Sequence, residues 1–152
     1  MSEILFDKTL ICRFADAGDR REVLSGMVDH LQKKGIVKDT YKNAILEREK
    51  NFPTGLYTGE INVAIPHADV KHVNQAAICV GVLEKPVKFC RMEEPDEEID
   101  VHVVIMLSLT EAHGHIDMLQ KVIALIQDQE ALANALAADD EAIAKMIADA
   151  LL

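Results

Sequence analysis

A chain of 152 residues, 49% apolar and 28% charged, has the size of one domain and the make-up of an ordinary globular core with a solvated surface. Its net charge of −10, from 26 acidic against 16 basic residues, is the wrong sign for nucleic-acid binding, which neutralises phosphates with Lys and Arg, and for docking on an anionic membrane surface. There is no run of the ~18 apolar residues that a membrane span needs, and Met1-Ser2-Glu3-Ile4 shows no basic and then apolar leader pattern, so a single domain over residues 1–152, cytoplasmic and without membrane insertion, is expected.

The pattern then alternates between helical and strand periods. Thr9 to Phe14 reads as a short strand. Asp19 opens a helix with Glu22 placed for a capping box; Val23, Leu24, Met27, Val28 and Leu31 form its apolar face and Gly35 stops it. Asp39 starts a second helix, carrying Tyr41, Ala44 and Ile45 inward and ending near Lys50-Asn51, ahead of Pro53. From Thr54 the chain is strand-like and turn-rich: Ile61, Val63 and Ile65 alternate, and Pro66 ends the run. The nearly continuous apolar runs Ala76 to Leu83 and Ile99 to Leu109 read as interior strands buried on both faces. The acidic stretch Glu93 to Glu98 between them reads as a solvated turn.

A third helix is expected from Gly114 to Gln127, with Ile116, Leu119, Val122, Ile123 and Ile126 as its buried stripe. A shorter helix spans Glu130 to Ala137, and Asp139 or Asp140 caps a last one in which Ile143, Met146, Ile147 and Leu151 align. Helices before and after a block of strands imply an α/β fold, a mixed central sheet sandwiched between helices. The three cysteines, Cys12, Cys79 and Cys90, lack metal-type or redox-type spacing and read as buried, reduced thiols in strands.

Six histidines differ in setting. His30 reads as a boundary residue of the first helix, His102 as a packed or hydrogen-bonded strand residue, and His72 as exposed. His67 follows Pro66 at the end of an apolar strand, where a stiff backbone can present a ring at a sheet edge. A ring that accepts a phosphoryl group needs one nitrogen free and the other tied to an acceptor that fixes the tautomer. His115 falls in the first turn of the third helix, where free N–H groups and the positive dipole end suit an anion, and where a polar residue can equally serve as a cap or surface group. His113 competes with it for any such role.

The runs Arg48-Glu49-Lys50-Asn51-Phe52-Pro53-Thr54-Gly55-Leu56 and Gly59-Glu60-Ile61-Asn62-Val63-Ala64-Ile65-Pro66-His67 resemble the IIA components of the bacterial phosphoenolpyruvate-dependent sugar phosphotransferase system, of the fructose–mannitol type. So do Val80-Gly81-Val82-Leu83 with Pro86-Val87, and His115 to Lys121. Within the family the likeness is greatest to galactitol-type proteins. The resemblance implies that His67 is the phosphorylated nucleophile, that His115 stabilises the phosphoryl group, and that Arg48 supports the site. It implies a phosphotransferase component with no cofactor or metal, a donor in phospho-HPr and an acceptor in the cysteine of a IIB component of a sugar or sugar-alcohol permease. Thr54 and Thr58 are candidates to contact the phosphoryl group or serve turns. Phe52, Leu56 and Tyr57 are candidates for a partner-facing rim or for core packing. Glu60 and Asn62 stand where many relatives carry a Gly-rich or small-residue turn.

Two other functions fit parts of the pattern. A regulatory IIA-like protein would use the same ring to signal its phosphorylation state to partners that are not permeases. A zinc-dependent hydrolase would draw on His67, His72, His113 and His115, although their spacing is not His-Glu-x-x-His.

Overall fold

The structure, a computed structural model, describes residues 4–111 and 114–152. Five strands, β1 (Ile11–Phe14), β2 (Gly55–Leu56), β3 (Asn62–Ala64), β4 (Ala77–Cys90) and β5 (Glu98–Ser108), form one mixed sheet in the order β1-β4-β5-β3-β2. β1 runs parallel to β4 and β3 parallel to β5, whereas the β4–β5 and β2–β3 pairs are antiparallel. On one face lie α1 (Arg20–Lys33) and α2 (Tyr41–Asn51); on the other lie α3 (Gly114–Ile126), α4 (Gln129–Ala137) and α5 (Asp140–Leu151). This is the layered α/β architecture expected from the sequence.

The central strands are apolar throughout because each face has its own core. In β4, Ala77 and Cys79 join the cluster with Leu24, Met27 and Leu31 of α1, while Ile78, Val80 and Val82 join the cluster with Val122 of α3 and Ile143 and Ile147 of α5. Helix starts follow capping chemistry. The carboxylate of Asp19 accepts the Glu22 N–H at 2.9 Å, and Glu22 in turn accepts the N–H of Gly18. Asp128 and Asp139 cap α4 and α5 in the same way. Gly35, just past α1, has φ 76°, the left-handed backbone that glycine takes without a Cβ penalty.

Four details depart from the sequence reading. Thr9 and Leu10 belong to a 3-10 turn held by Asp7, so β1 begins only at Ile11. α2 starts at Tyr41 rather than Asp39, with Thr40 at its N-cap. β4 does not stop at Leu83 but runs on to Cys90; the ladder with β5 shifts register between Val82 and Val87, and that irregularity accommodates Pro86. The buried face of α3 is Met118, Val122, Leu125 and Ile126, whereas Ile116 is 63% and Ile123 39% exposed. Apolar residues surround most of this helix, so its period alone does not select the side that meets the sheet.

Candidate functional site

β3 and β5 are parallel neighbours, so the segments that leave their C-terminal ends emerge at one edge of the sheet. After β3 come Ile65, Pro66 and His67. The Leu107 N–H of β5 donates to the Pro66 carbonyl at 3.0 Å, and His67 bridges Leu107, which extends the parallel pairing to the histidine itself. The buried Tyr41 hydroxyl donates to the Leu107 carbonyl at 3.0 Å from the other side. After β5 the chain enters α3, whose first turn carries His115. The topology therefore delivers two imidazoles to one place: the ring centroids of His67 and His115 are 4.7 Å apart, with planes inclined at 37°.

The half-buried His67 ring has its Nδ1 2.9 Å from the carbonyl oxygen of Ile65. A carbonyl only accepts, so Nδ1 carries the proton, and in the neutral ring the lone pair resides on Nε2. Burial lowers the His67 pKa below its ordinary 6.5; the Ile65 bond works against that, and the positive charge of Arg48 adds to it. His115 is lowered further, to about 4, by burial first and then by His67 and Arg48, with Asp69 opposing. Both rings are thus neutral at pH 7. The Nε2 of His115 is buried and has no hydrogen-bond partner among the described residues, a costly condition for a polar atom that a phosphoryl oxygen would relieve.

Arg48 lies in the last turn of α2, exposed, with its guanidinium carbon 5.2 Å from the centre of the Phe52 ring. Its charge is felt by both imidazoles. The site therefore joins a nucleophilic nitrogen, a second neutral imidazole and a cation, a set suited to holding an anion that is transferred. His113 lies outside the described residues. His72 is turned to Thr40, 2.7 Å from its hydroxyl, and His30 donates to the Thr9 carbonyl at 2.7 Å. His102 lies in β5 as expected, with no hydrogen-bond partner for its Nδ1 among the described residues. Among the described residues, no three His, Cys, Asp or Glu side chains converge as metal ligands.

The other candidates separate by environment. The Thr54 hydroxyl is buried, donates to Glu49 Oε1 at 2.7 Å and accepts the Ile65 N–H at 3.2 Å. The Thr58 hydroxyl donates to the Ile61 carbonyl at 2.7 Å and accepts from Gln129 at 3.2 Å. That loop is organised by Asn62, whose side-chain oxygen accepts the N–H groups of Thr58 and Gly59 while its amide donates to the Asp100 carbonyl. Asn62 thus ties this turn together through its own side chain. Phe52 is 64% and Tyr57 56% exposed, whereas Leu56 is half-buried and packs on the core.

Glu49 is the site neighbour that the sequence reading passed over. It is 5% exposed, and its carboxylate also accepts the Thr54 N–H at 2.8 Å. A signal was present: Tyr41, Ile45 and Glu49 recur at four-residue spacing and are the buried residues of α2, so a carboxylate occupies the apolar stripe.

Comparisons with known proteins bear on the family and the fold. The model of the family described as phosphoenolpyruvate-dependent sugar phosphotransferase system, EIIA 2, matches residues 4–150. The galactitol-specific EIIA component of Escherichia coli (strain K12) is 34% identical over 91 residues, which make up 60% of this chain and 59% of that protein. The chain thus spans about three-fifths of the length of that relative. Among solved structures, the complex of enzyme IIAMTL and phosphorylated enzyme IIBMTL from Escherichia coli superposes with a TM-score of 0.75 at 21% identity, covering 97% of this chain and 99% of that one. The nitrogen regulatory protein IIA-Ntr from Neisseria meningitidis gives 0.69 at 21% identity, covering 93% and 94%. These two likenesses speak for the fold.

Proposed function

The chain belongs to the EIIA 2 family of the phosphoenolpyruvate-dependent sugar phosphotransferase system, and we propose that it carries a phosphoryl group on Nε2 of His67 between two protein partners. The observation that supports this most directly is the bond from His67 Nδ1–H to the Ile65 carbonyl, which leaves Nε2 as the basic nitrogen. In the forward step this lone pair attacks the phosphorus of a phosphohistidine on HPr. The new N–P bond forms as the donor N–P bond breaks, and the donor imidazole keeps that electron pair. In the second step a thiolate of a IIB component attacks the same phosphorus, and the His67 N–P bond breaks. Such transfers pass through a loose, in-line transition state, so positioning and charge stabilisation supply most of the catalysis. On this reading His115, whose ring lies 4.7 Å from that of His67, and Arg48, whose charge lowers both imidazoles, would hold the phosphoryl oxygens.

Similarity to the galactitol-specific relative supports a sugar-alcohol branch for the permease partner. The exposed Phe52, Tyr57 and Ile116 offer apolar contacts. A relay must release each partner, which suits an interface at or below ~1,200 Å².

The test is phosphotransfer from phosphoenolpyruvate through enzyme I and HPr, read by intact mass as one acid-labile phosphoryl group. His67→Ala should take up none, and His115→Ala should take it up ~10²-fold more slowly. Full labelling of the His67 variant would refute the assignment. Onward transfer to a IIB cysteine separates a transport component from a regulatory one that retains its label until a different partner binds.

A further inference from the structure

The segment that presents His67 is held from two sides. Leu107 anchors the Pro66 carbonyl, as described above. On the other side Thr54 anchors Ile65, whose N–H lies 3.2 Å from the Thr54 hydroxyl and 3.4 Å from the Thr54 carbonyl. Thr54 is itself fixed by Glu49, which accepts both its N–H and its O–H through separate carboxylate oxygens. Every one of these contacts is buried. A chain of hydrogen bonds therefore runs from a carboxylate on α2, through one hydroxyl, to the residue whose carbonyl selects the tautomer of His67.

We propose that Glu49 is a positioning residue for phosphoryl transfer, acting through Thr54 and Ile65 to hold His67 with its Nδ1 protonated and its Nε2 available.

The donor inventory shows why a carboxylate, and an ionised one, is required. The Thr54 hydroxyl has one proton, and it has already accepted the Ile65 N–H. Its own proton and the adjacent Thr54 N–H need two acceptors, which an ionised carboxylate provides. If Glu49 is protonated at the oxygen facing the hydroxyl, two donors oppose each other there, and the Thr54 proton must turn away from Glu49 and compete for the face that receives Ile65. An amide at position 49 meets the same conflict. A buried polar network with one unmatched donor is worse than none.

Burial raises Glu49 to about 7, with the Thr54 bonds and the charges of Arg20 and Arg48 opposing. The groups that face it come from three elements: Arg20 and Arg21 on α1, Arg48 and Lys50 on α2, and Cys90 at the end of β4. Arg20 is shared with Glu98, 2.9 Å away. Glu49 thus changes charge around neutral pH, while burial holds the pKa values of both imidazoles below 6.5. The sign follows. Between pH 6 and 8 the fraction of ionised Glu49 rises roughly tenfold, and the share of His67 in the productive tautomer rises with it.

This inference rests on the phosphocarrier reading for its kinetic consequence, and on geometry alone for its effect on the ring. The experiment uses the full chain with ¹⁵N-labelled histidine, as wild type, Glu49→Gln, Thr54→Val and Thr54→Ser. Two-bond ¹H–¹⁵N spectra report which nitrogen of His67 carries the proton, and uptake from phospho-HPr is timed between pH 6 and 8. In the wild type the Nδ1–H form should dominate at pH 8. In Glu49→Gln and Thr54→Val the Nε2–H form should grow, whereas Thr54→Ser, which keeps the hydroxyl, should restore the wild-type spectrum. The ratio of wild-type to Glu49→Gln uptake rates should climb about tenfold from pH 6 to 8. An unchanged His67 tautomer in both Glu49→Gln and Thr54→Val, or a rate ratio flat with pH, overturns the proposal. Should Glu49→Gln not fold, the Thr54 pair decides the question. A wild type that takes up no phosphate but shows the tautomer shift refutes the carrier reading and leaves the positioning role standing.

Discussion

The imidazole of His115 lies 4.7 Å from that of His67, centroid to centroid, and His67 is one of the groups that keep it uncharged. The two rings arrive from different layers of the sequence, one from the end of a strand and the other from the start of a helix. Neutral rings suit a nucleophile, and on the proposed carrier role a phosphoryl dianion on His67 would lie beside His115.

In the free protein His115 should titrate near 4, as burial, His67 and Arg48 hold it there. Phosphorylation of His67 places negative charge next to the ring and should raise that value by at least about one unit. A histidine-resolved NMR titration of the free and phosphorylated protein measures both. The same lowered values set the acid stability of the free protein. With folded pKa values below 6.5 for both rings, the unfolded chain binds more protons as pH falls through 6.5 toward 4, so their contribution to stability is lost over that window. An unshifted His115 in the phosphoprotein would remove it from the site.

Glu49 contributes with the opposite sign. Its folded value of about 7 lies above the ordinary 4.5, so the folded state binds the extra proton between those limits and stability declines as pH rises through them. The full effect is on the order of 3 kcal/mol. Chemical denaturation of wild type and Glu49→Gln at pH 4.5, 6 and 8 should show the wild type losing stability relative to the variant on going up in pH. Parallel curves would mean that Glu49 does not titrate in this range.

Phe52 is 64% exposed and stacks only with Arg48 among the cation–π contacts of the described residues. Phe52→Ser should change folding stability by no more than ~0.5 kcal/mol. If the ring belongs to the docking rim, the apparent affinity for the phosphoryl partners should fall by about tenfold, with the rate at saturating partner unchanged. Equal affinities for the variant and the wild type would place the interface elsewhere.

Much of the architecture was readable beforehand, for reasons visible in particular residues. Asp19, Asp139 and Gly35 mark helix ends through bonds and dihedrals that are local to the chain. The apolar runs of β4 and β5 announce strands covered on both sides. Pro66 and the alternating Ile61, Val63 and Ile65 made the strand-end place of His67 legible, and the family resemblance of the surrounding run singled it out as a carrier candidate. Less was legible where neighbours outside the local window decide. The continuation of β4 past Pro86 depends on a register shift against β5. The exposure of Ile116 depends on which part of a wide apolar arc on α3 the sheet occupies.

Local chemistry in the chain was enough to specify the elements and their caps and to put His67 at a strand end, since each of those depends on residues a few positions apart. Long-range packing alone chose the company that histidine keeps. The parallel pairing of β3 with β5 brings His115 to it, and the burial of α2 aims Glu49 at Thr54. Which ring nitrogen is free, and how readily the neighbours charge, follow from those contacts, because desolvation and hydrogen-bond partners exist only once distant segments have come together.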